Sequence, residues 1–234
     1  MADGSGAQQG VQGLLTGTVV SRTDRTGQWR VQVNVPALGA AGQGLWARLS
    51  NVYASEGAGM LFMPEIGDEV VLGLLDGDAS SPVILGSLYS AKRPPPIDVD
   101  AYNNNTKGIV SRTGMTLFID EASPSITIRT PGMVVILDEA AQRLSLTDRD
   151  SEVTLSPDGI TLRTFRNVTI NAAGTFALNA DHGVSIRSVG GDVSVDGQSV
   201  TAHAQTALKA TGSAVAELSS SGQTTVRGAL VKIN

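Results

Sequence analysis

Residues 115–164 read MTLFIDEASPSITIRTPGMVVILDEAAQRLSLTDRDSEVTLSPDGITLRT. Apolar residues recur there in pairs two apart: Leu117/Ile119, Ile126/Ile128, Val135/Leu137, Leu144/Leu146, Val153/Leu155 and Ile160/Leu162. Within Ile126-Thr127-Ile128-Arg129, Leu144-Ser145-Leu146-Thr147 and Ile160-Thr161-Leu162-Arg163 the alternate positions are polar. That is the two-residue period of a β-strand with one face to bury. The pattern continues through Val168/Ile170, Phe176/Leu178, Val184/Ile186, Val193/Val195 and Val200/Ala202, at intervals of seven to nine residues. A unit with two buried side chains and a short corner cannot fold alone, so neighbouring units must complete its core. The segment is expected to be a β-solenoid or prism with essentially no helix.

Spacing alone leaves one chain and three open, because a single-chain β-helix with three strands per coil would repeat at about 25 residues. Two other features favour three chains. The corners leave no chain for the long loops that wall a substrate cleft, and two small or medium apolar residues per strand enclose only a narrow prism. About fourteen layers at about 4.8 Å would make a needle on the order of 65 Å long. Toward the end the inward positions shrink to Ala202, Ala204, Ala207, Ala210, Ala214 and Ala216, and the chain stops in strand pattern on Leu230, Val231, Lys232, Ile233 and Asn234. An open strand end exposes unpaired backbone and apolar side chains, so these last five residues are expected to bind a capping partner.

Upstream the organisation differs. Short β-branched runs at 14–21, 29–35, 45–49, 69–75 and 83–88 read as five strands. Asp24-Arg25-Thr26-Gly27 is a turn, Pro36 closes the second strand, and Gly67-Asp68 and Asp76-Gly77-Asp78 bracket the fourth. Five short strands with one long connection fit a small closed barrel of the OB type, a compact sandwich being the alternative. The expected plan is all-β: a flexible lead-in at 1–13, an OB-fold collar at 14–92, a linker at 93–114 and a triangular β-helix needle at 115–234. The linker opens on the stiff Arg93-Pro94-Pro95-Pro96 and continues through a polar stretch at 100–107.

Composition narrows the function. Of 234 residues, 41% are hydrophobic but only 4% aromatic, and the net charge is −5. Thin β layers suit that balance, and an acidic chain without a basic stripe is a poor partner for nucleic acid. Cysteine is absent, which excludes disulfides, thiol catalysis and thiolate metal sites. No apolar run reaches the roughly 18 residues that span a bilayer, and the first residues lack a signal-peptide pattern.

The chemistry-bearing residue types fall into no catalytic pattern. Asp76/Asp78, Asp148/Asp150/Glu152 and Asp192/Asp196 alternate along strands or sit in turns and are read as solvent-facing. His182 and His203 lack a nearby histidine to complete a chelate, and no Gly-x-Ser-x-Gly elbow occurs. Trp29, Trp46, Tyr53, Phe62 and Tyr89 are scattered over the barrel with few basic neighbours, unlike a stacking groove for single strands. Arg129, Arg143, Arg149, Arg163, Arg166 and Arg187 occupy the non-buried phase, where they protect edges or pair across chains with Asp120, Asp138 and Asp158. No catalytic residue, cofactor or metal is expected.

Several motifs in order resemble the central spikes of contractile injection machines, the phage baseplate protein V-like and VgrG-type spikes. They are Gly17-Thr18-Val19-Val20, Gly27-Gln28-Trp29-Arg30-Val31, Leu45-Trp46-Ala47-Arg48, Phe62-Met63-Pro64-Glu65-Ile66-Gly67-Asp68 and Gly77-Asp78-Ala79-Ser80-Ser81-Pro82-Val83-Ile84-Leu85-Gly86. Lys107-Gly108-Ile109-Val110 and the ending Gly228-Ala229-Leu230-Val231-Lys232-Ile233-Asn234 add to the likeness. The resemblance implies an OB collar on a trimeric β-helix, a hub or baseplate protein at the N-terminal side, and a conical PAAR-type protein on the tip. It further implies a role in puncturing a target envelope, effectors as possible cargo, and synthesis in the cytoplasm followed by outward delivery. The expected hub is either a separate polypeptide or a preceding part of a longer chain, and the sequence carries no lysozyme-like insert between collar and needle. A single-chain β-helix carbohydrate-active enzyme and an OB nucleic-acid module are the rival classes.

Overall fold

The structure, a computed structural model, describes residues 13–38, 44–97 and 103–233. The lead-in at 1–12, part of the linker and Asn234 lie outside the described residues. The chain divides into two compact units, Met1–Thr169 and Ile170–Asn234.

The first unit begins with strands β1 (Leu15–Ser21), β2 (Val31–Asn34) and β3 (Leu45–Leu49), then a two-residue hairpin of β4 (Ala54–Ser55) and β5 (Ala58–Gly59), then β6 (Glu69–Leu74) and β7 (Pro82–Leu88). Five of these close into a barrel in the order β1-β2-β3-β7-β6, with β3 and β7 parallel and the other neighbours antiparallel. The expected strands are all present. β2 starts later than the apolar run suggests because Trp29, at φ +57°, is left-handed and cannot continue a strand.

Alternation along these strands sends Val19, Val31, Val33, Val35, Ala47, Val70, Leu72 and Ile84 inward, where they form the buried core. Among the described residues no aromatic side chain enters it, in keeping with the low aromatic content. Gly17 faces the same interior, and a Cβ there would lie 2.5 Å from Val33 Cγ1 and 2.8 Å from the Asn34 carbonyl oxygen. Gly17→Ala is therefore expected to lower the stability of the barrel by about 1–3 kcal/mol, the usual cost of overpacking, read as a reduced urea midpoint.

After β7 the chain makes a tight bridge between Ser90 and Arg93, and Arg93 Nη1 reaches Asp68 Oδ1 at 2.6 Å, which pins the start of the proline segment to the barrel. Seven strands follow: β8 (Thr106–Val110), β9 (Thr116–Asp120), β10 (Ser125–Arg129), β11 (Val134–Asp138), β12 (Arg143–Thr147), β13 (Ser151–Ser156) and β14 (Gly159–Thr164). They form one sheet in which each strand pairs antiparallel with its sequence neighbour.

Two expectations change here. The linker drawn to residue 114 ends sooner, because β8 already belongs to the sheet. And residues 115–164 do not wind as a helix; they fold back on themselves as a meander. The cause lies in the corners. Asp120 accepts from the backbone N–H of Ala122 and Ser123, Thr130 from Gly132 and Met133, Asp138 from Ala141, and Asp148 from Asp150 and Ser151. A side-chain acceptor at or just past the strand end folds the backbone over itself and reverses the chain.

Past Thr164 those reversing turns stop. Bends fall at 165–166, 173–174, 181–182, 189–191, 197–198, 205–206, 213–214, 221–222 and 229, a spacing of eight residues with no strand or helix between. Among the described residues no strand pairing is formed in the Ile170–Asn234 unit, and every side chain in it is exposed.

Candidate assembly surface

The register of the seven-stranded sheet sorts its side chains into rows. One row runs Ile109, Leu117, Ile128, Val135, Leu146, Val153, Leu162, and the next runs Lys107, Ile119, Ile126, Leu137, Leu144, Leu155, Ile160. Both lie on the same face, and every position except Lys107 is Ile, Leu or Val. Lys107, at the sheet edge, is engaged by Glu121 and the Asn104 carbonyl oxygen. The opposite face carries Gly108, Phe118, Thr127, Ile136, Ser145, Thr154 and Thr161 in its central row. Large Phe118 and Ile136 shelter the small residues beside them, which is why Ser145 is buried although it is polar.

Most of the apolar face is open among the described residues. Leu117 and Val135 are half-buried, and the other apolar positions range from 39% exposed at Leu146 to 77% at Ile160. Two rows across seven strands make a contiguous patch of several hundred Å², at the size that marks an interaction surface. A hollow of about 720 Å³ lies on this face between Ile119, Ile126, Leu137, Leu144 and Leu155.

The Ile170–Asn234 unit presents the same problem in a stronger form. Its apolar pairs keep step with the bends: Ile170 (two residues after Val168), Phe176/Leu178, Val184/Ile186, Val200/Ala202, Leu208/Ala210 and Ala216/Leu218. The Val193/Val195 pair is displaced by one residue, following the three-residue bend at 189–191, and the pairs regain step at Val200. Of the alanines expected to taper the prism, Ala202, Ala210 and Ala216 fall in the paired phase, whereas Ala207 and Ala214 do not. Leu230, Val231, Lys232 and Ile233 belong to no strand and are exposed, Ile233 at 92%.

Titratable groups are held in structural roles. Asp24 accepts from Arg30 Nε at 3.0 Å, from Thr26 Oγ1 at 2.7 Å and from the Thr26 backbone at 3.0 Å. The Arg30 side chain above all, then the Thr26 hydroxyl, holds the Asp24 carboxyl well below the usual aspartate range. Arg30 also lies over the Trp46 ring at 5.8 Å. Asp78 is lowered by hydrogen bonds from the Ser80 hydroxyl and backbone. Asp150 pairs with Arg166 at 3.0 Å and Glu152 with Arg143 at 2.8 Å, so the Asp148/Asp150/Glu152 series is engaged in a turn and two ion pairs within the chain. Arg143 and Arg166 pair within their own chain, with Glu152 and Asp150. His182 and His203 are both exposed. Among the described residues no group of three or more His, Asp or Glu is placed to hold a metal, and no helix is long and apolar enough to cross a membrane.

Asp24 gives a pH prediction. Its folded value is depressed, so the stability it lends is present above the unfolded value of about 3.9 and is lost as the pH falls through the folded one. Asp24→Asn is expected to lower the urea midpoint at neutral pH, and the gap to the unaltered protein is expected to close only in strong acid.

The barrel carries the deciding likeness. Residues 15–89 match the type VI secretion system/phage-baseplate injector OB domain. Those limits coincide with the closed barrel from β1 to β7, so the collar has the injector OB fold. Similar proteins include the type VI secretion system spike protein VgrG1a of Pseudomonas aeruginosa, 35% identical over 68 residues, which is 29% of this chain and 10% of that protein. VgrG4b of the same organism is 32% identical over 88 residues, covering 37% of this chain and 11% of its own length. The actin cross-linking toxin VgrG1 of Vibrio cholerae is 34% identical over 61 residues, 26% of this chain and 6% of the toxin. The matches thus span about a tenth or less of each relative. The chain resembles a VgrG-type spike through its injector OB domain, and VgrG1a and VgrG4b are type VI secretion system spike proteins.

Proposed function

We propose that the chain is the trimeric central spike of a contractile injection machine and that its work is mechanical. The observation that carries the reading is the Ile170–Asn234 unit, whose described residues form no strand pairing and bend every eight residues with the apolar pairs in step. A backbone N–H or C=O without a partner and an apolar strand without a covering layer are both unfavourable, so such a chain needs other chains beside it. Three copies supply them if each contributes one extended segment to each face in turn. The apolar face of the meander then becomes the wall of a shared core above the wound part. On this reading the needle begins at Thr106 as a prism of three sheets and continues from residue 165 as an intertwined β-helix.

The injector OB domain supports a place in a baseplate or type VI spike, with a hub protein at the N-terminal side. The exposed Leu230, Val231, Lys232 and Ile233, with Asn234 after them, are the proposed seat of a PAAR-type cap, and effectors are carried there or on the cap. Closed β layers resist bending, so sheath contraction would drive such a needle through a target envelope and carry the protein outward. No residue here takes a catalytic role. The test is genetic: removing the coding sequence from the source organism is expected to abolish contraction-dependent delivery, and the intact chain to restore it. Undiminished delivery in its absence would contradict the reading.

A further inference from the structure

The injector OB domain has a protruding apolar element that the sheet face does not explain. The β4–β5 hairpin is closed by the Met60 N–H donating to the Tyr53 carbonyl oxygen at 2.9 Å. On its flanks Val52 is 95% and Leu61 64% exposed. Nearby lies an apolar cleft of about 430 Å³ lined by Phe62, Tyr89, Pro95, Pro96, Ile109 and Val110. Phe62 directly follows the hairpin, and β8 brings both its faces to the cleft, Ile109 from an apolar row and Thr106, Gly108 and Val110 from the opposite face. The cleft therefore lies at the β8 edge of the sheet.

We propose that this cleft receives the hairpin of residues 52–61 from a second copy of the chain, so that the collars interlock as well as the needles. The inference rests on the trimer reading, and three observations favour it. A closed ring of three is head-to-tail, so each copy must offer two different surfaces that fit each other, and a projecting apolar hairpin and an apolar cleft are such a pair. Val52 is bare in its own chain, so a copy does not fill its cleft with its own hairpin. Charge agrees as well. Glu56 is the only charged residue between Ser50 and Pro64, and the cation Lys92 lies between the cleft residues Tyr89 and Pro95, while Arg93, Lys107 and Arg112 are paired with Asp68, Glu121 and Glu65 of their own chain.

The absence of cysteine makes the test clean. The double variant Val52→Cys/Tyr89→Cys, treated with a short bismaleimide, is expected to give two- and three-chain bands on a denaturing gel. Each single variant is expected to run as one chain. Leu61→Cys/Pro96→Cys repeats the measurement at two other exposed positions, in case the first pair perturbs the fold. Light scattering on the same samples separates the two ways of failing. A three-chain mass with no linking beyond the single variants overturns the interlocked collar and leaves the trimer standing. A one-chain mass overturns both.

Discussion

Leu162→Asp is expected to convert the protein from a three-chain to a one-chain species, while Thr161→Asp, one residue earlier on the same strand, leaves the assembly intact. The register decides this. Leu162 stands opposite Val153 in an apolar row, and Thr161 stands opposite Thr154 on the other face. Burial of a leucine contributes about 1.5–3 kcal/mol, and in a symmetric trimer the loss occurs in each of three copies. The replacement also brings a carboxylate into a closed apolar core, where it must either lose its charge or keep the sheets apart. Leu137→Asp, nearer the middle of the same face, is expected to act at least as strongly. Sedimentation or light scattering at micromolar protein reads both changes. Equal behaviour of Leu162→Asp and Thr161→Asp would show that the apolar face is not the contact surface.

Deleting residues 173–180 is expected to leave a trimer of nearly unchanged melting temperature, whereas deleting residues 177–180 destroys the protease resistance of everything beyond. The first deletion removes one whole repeat and joins Ala172 to Asp181, so the bend at 181–182 and the Val184/Ile186 pair keep their phase. The second removes Leu178 and brings two bends within four residues of each other. In a winding needle each bend must turn a corner at the same height in all three chains. A half-repeat therefore misplaces every later strand relative to its partners, while a full repeat removes one layer. Limited proteolysis followed by mass spectrometry separates the outcomes. If both deletions were tolerated alike, the eight-residue spacing would have no structural meaning.

Much of this arrangement is legible before any coordinates are known, and its limits have physical causes. The barrel strands announce themselves because Val31/Val33 and Val70/Leu72 alternate cleanly and Gly or Pro punctuates their ends. The left-handed Trp29 is invisible in the pattern, since nothing about its neighbours marks the loop as one that turns back through Asp24 and Arg30. The apolar pairs from 117 to 162 identify a one-faced strand repeat, but a period of two says only which face is buried, not whether successive strands pair with each other or wind on. The missing signal was present at the corners. Asp120, Thr130, Asp138 and Asp148 recur at or just past strand ends and reverse the chain, and among the described residues beyond 164 the corresponding corner contact is made by Ser220 with the Gly222 N–H rather than by a series at successive corners. The interval of the apolar pairs runs at nine residues to Val153, drops to seven at Ile160 and is mostly eight beyond it. The candidate surface was half legible: the residues of the face were identified, but its extent as one uninterrupted patch follows only from the register.

The central claim is that one chain is an incomplete structure. Its most direct test is the mass of the purified protein in solution by multi-angle light scattering, set against the chain mass of 24.1 kDa. The account predicts a stable mass of three chains that persists on dilution. A monomer with a cooperative thermal transition would contradict it, because the Ile170–Asn234 unit would then have to satisfy its backbone within a single chain.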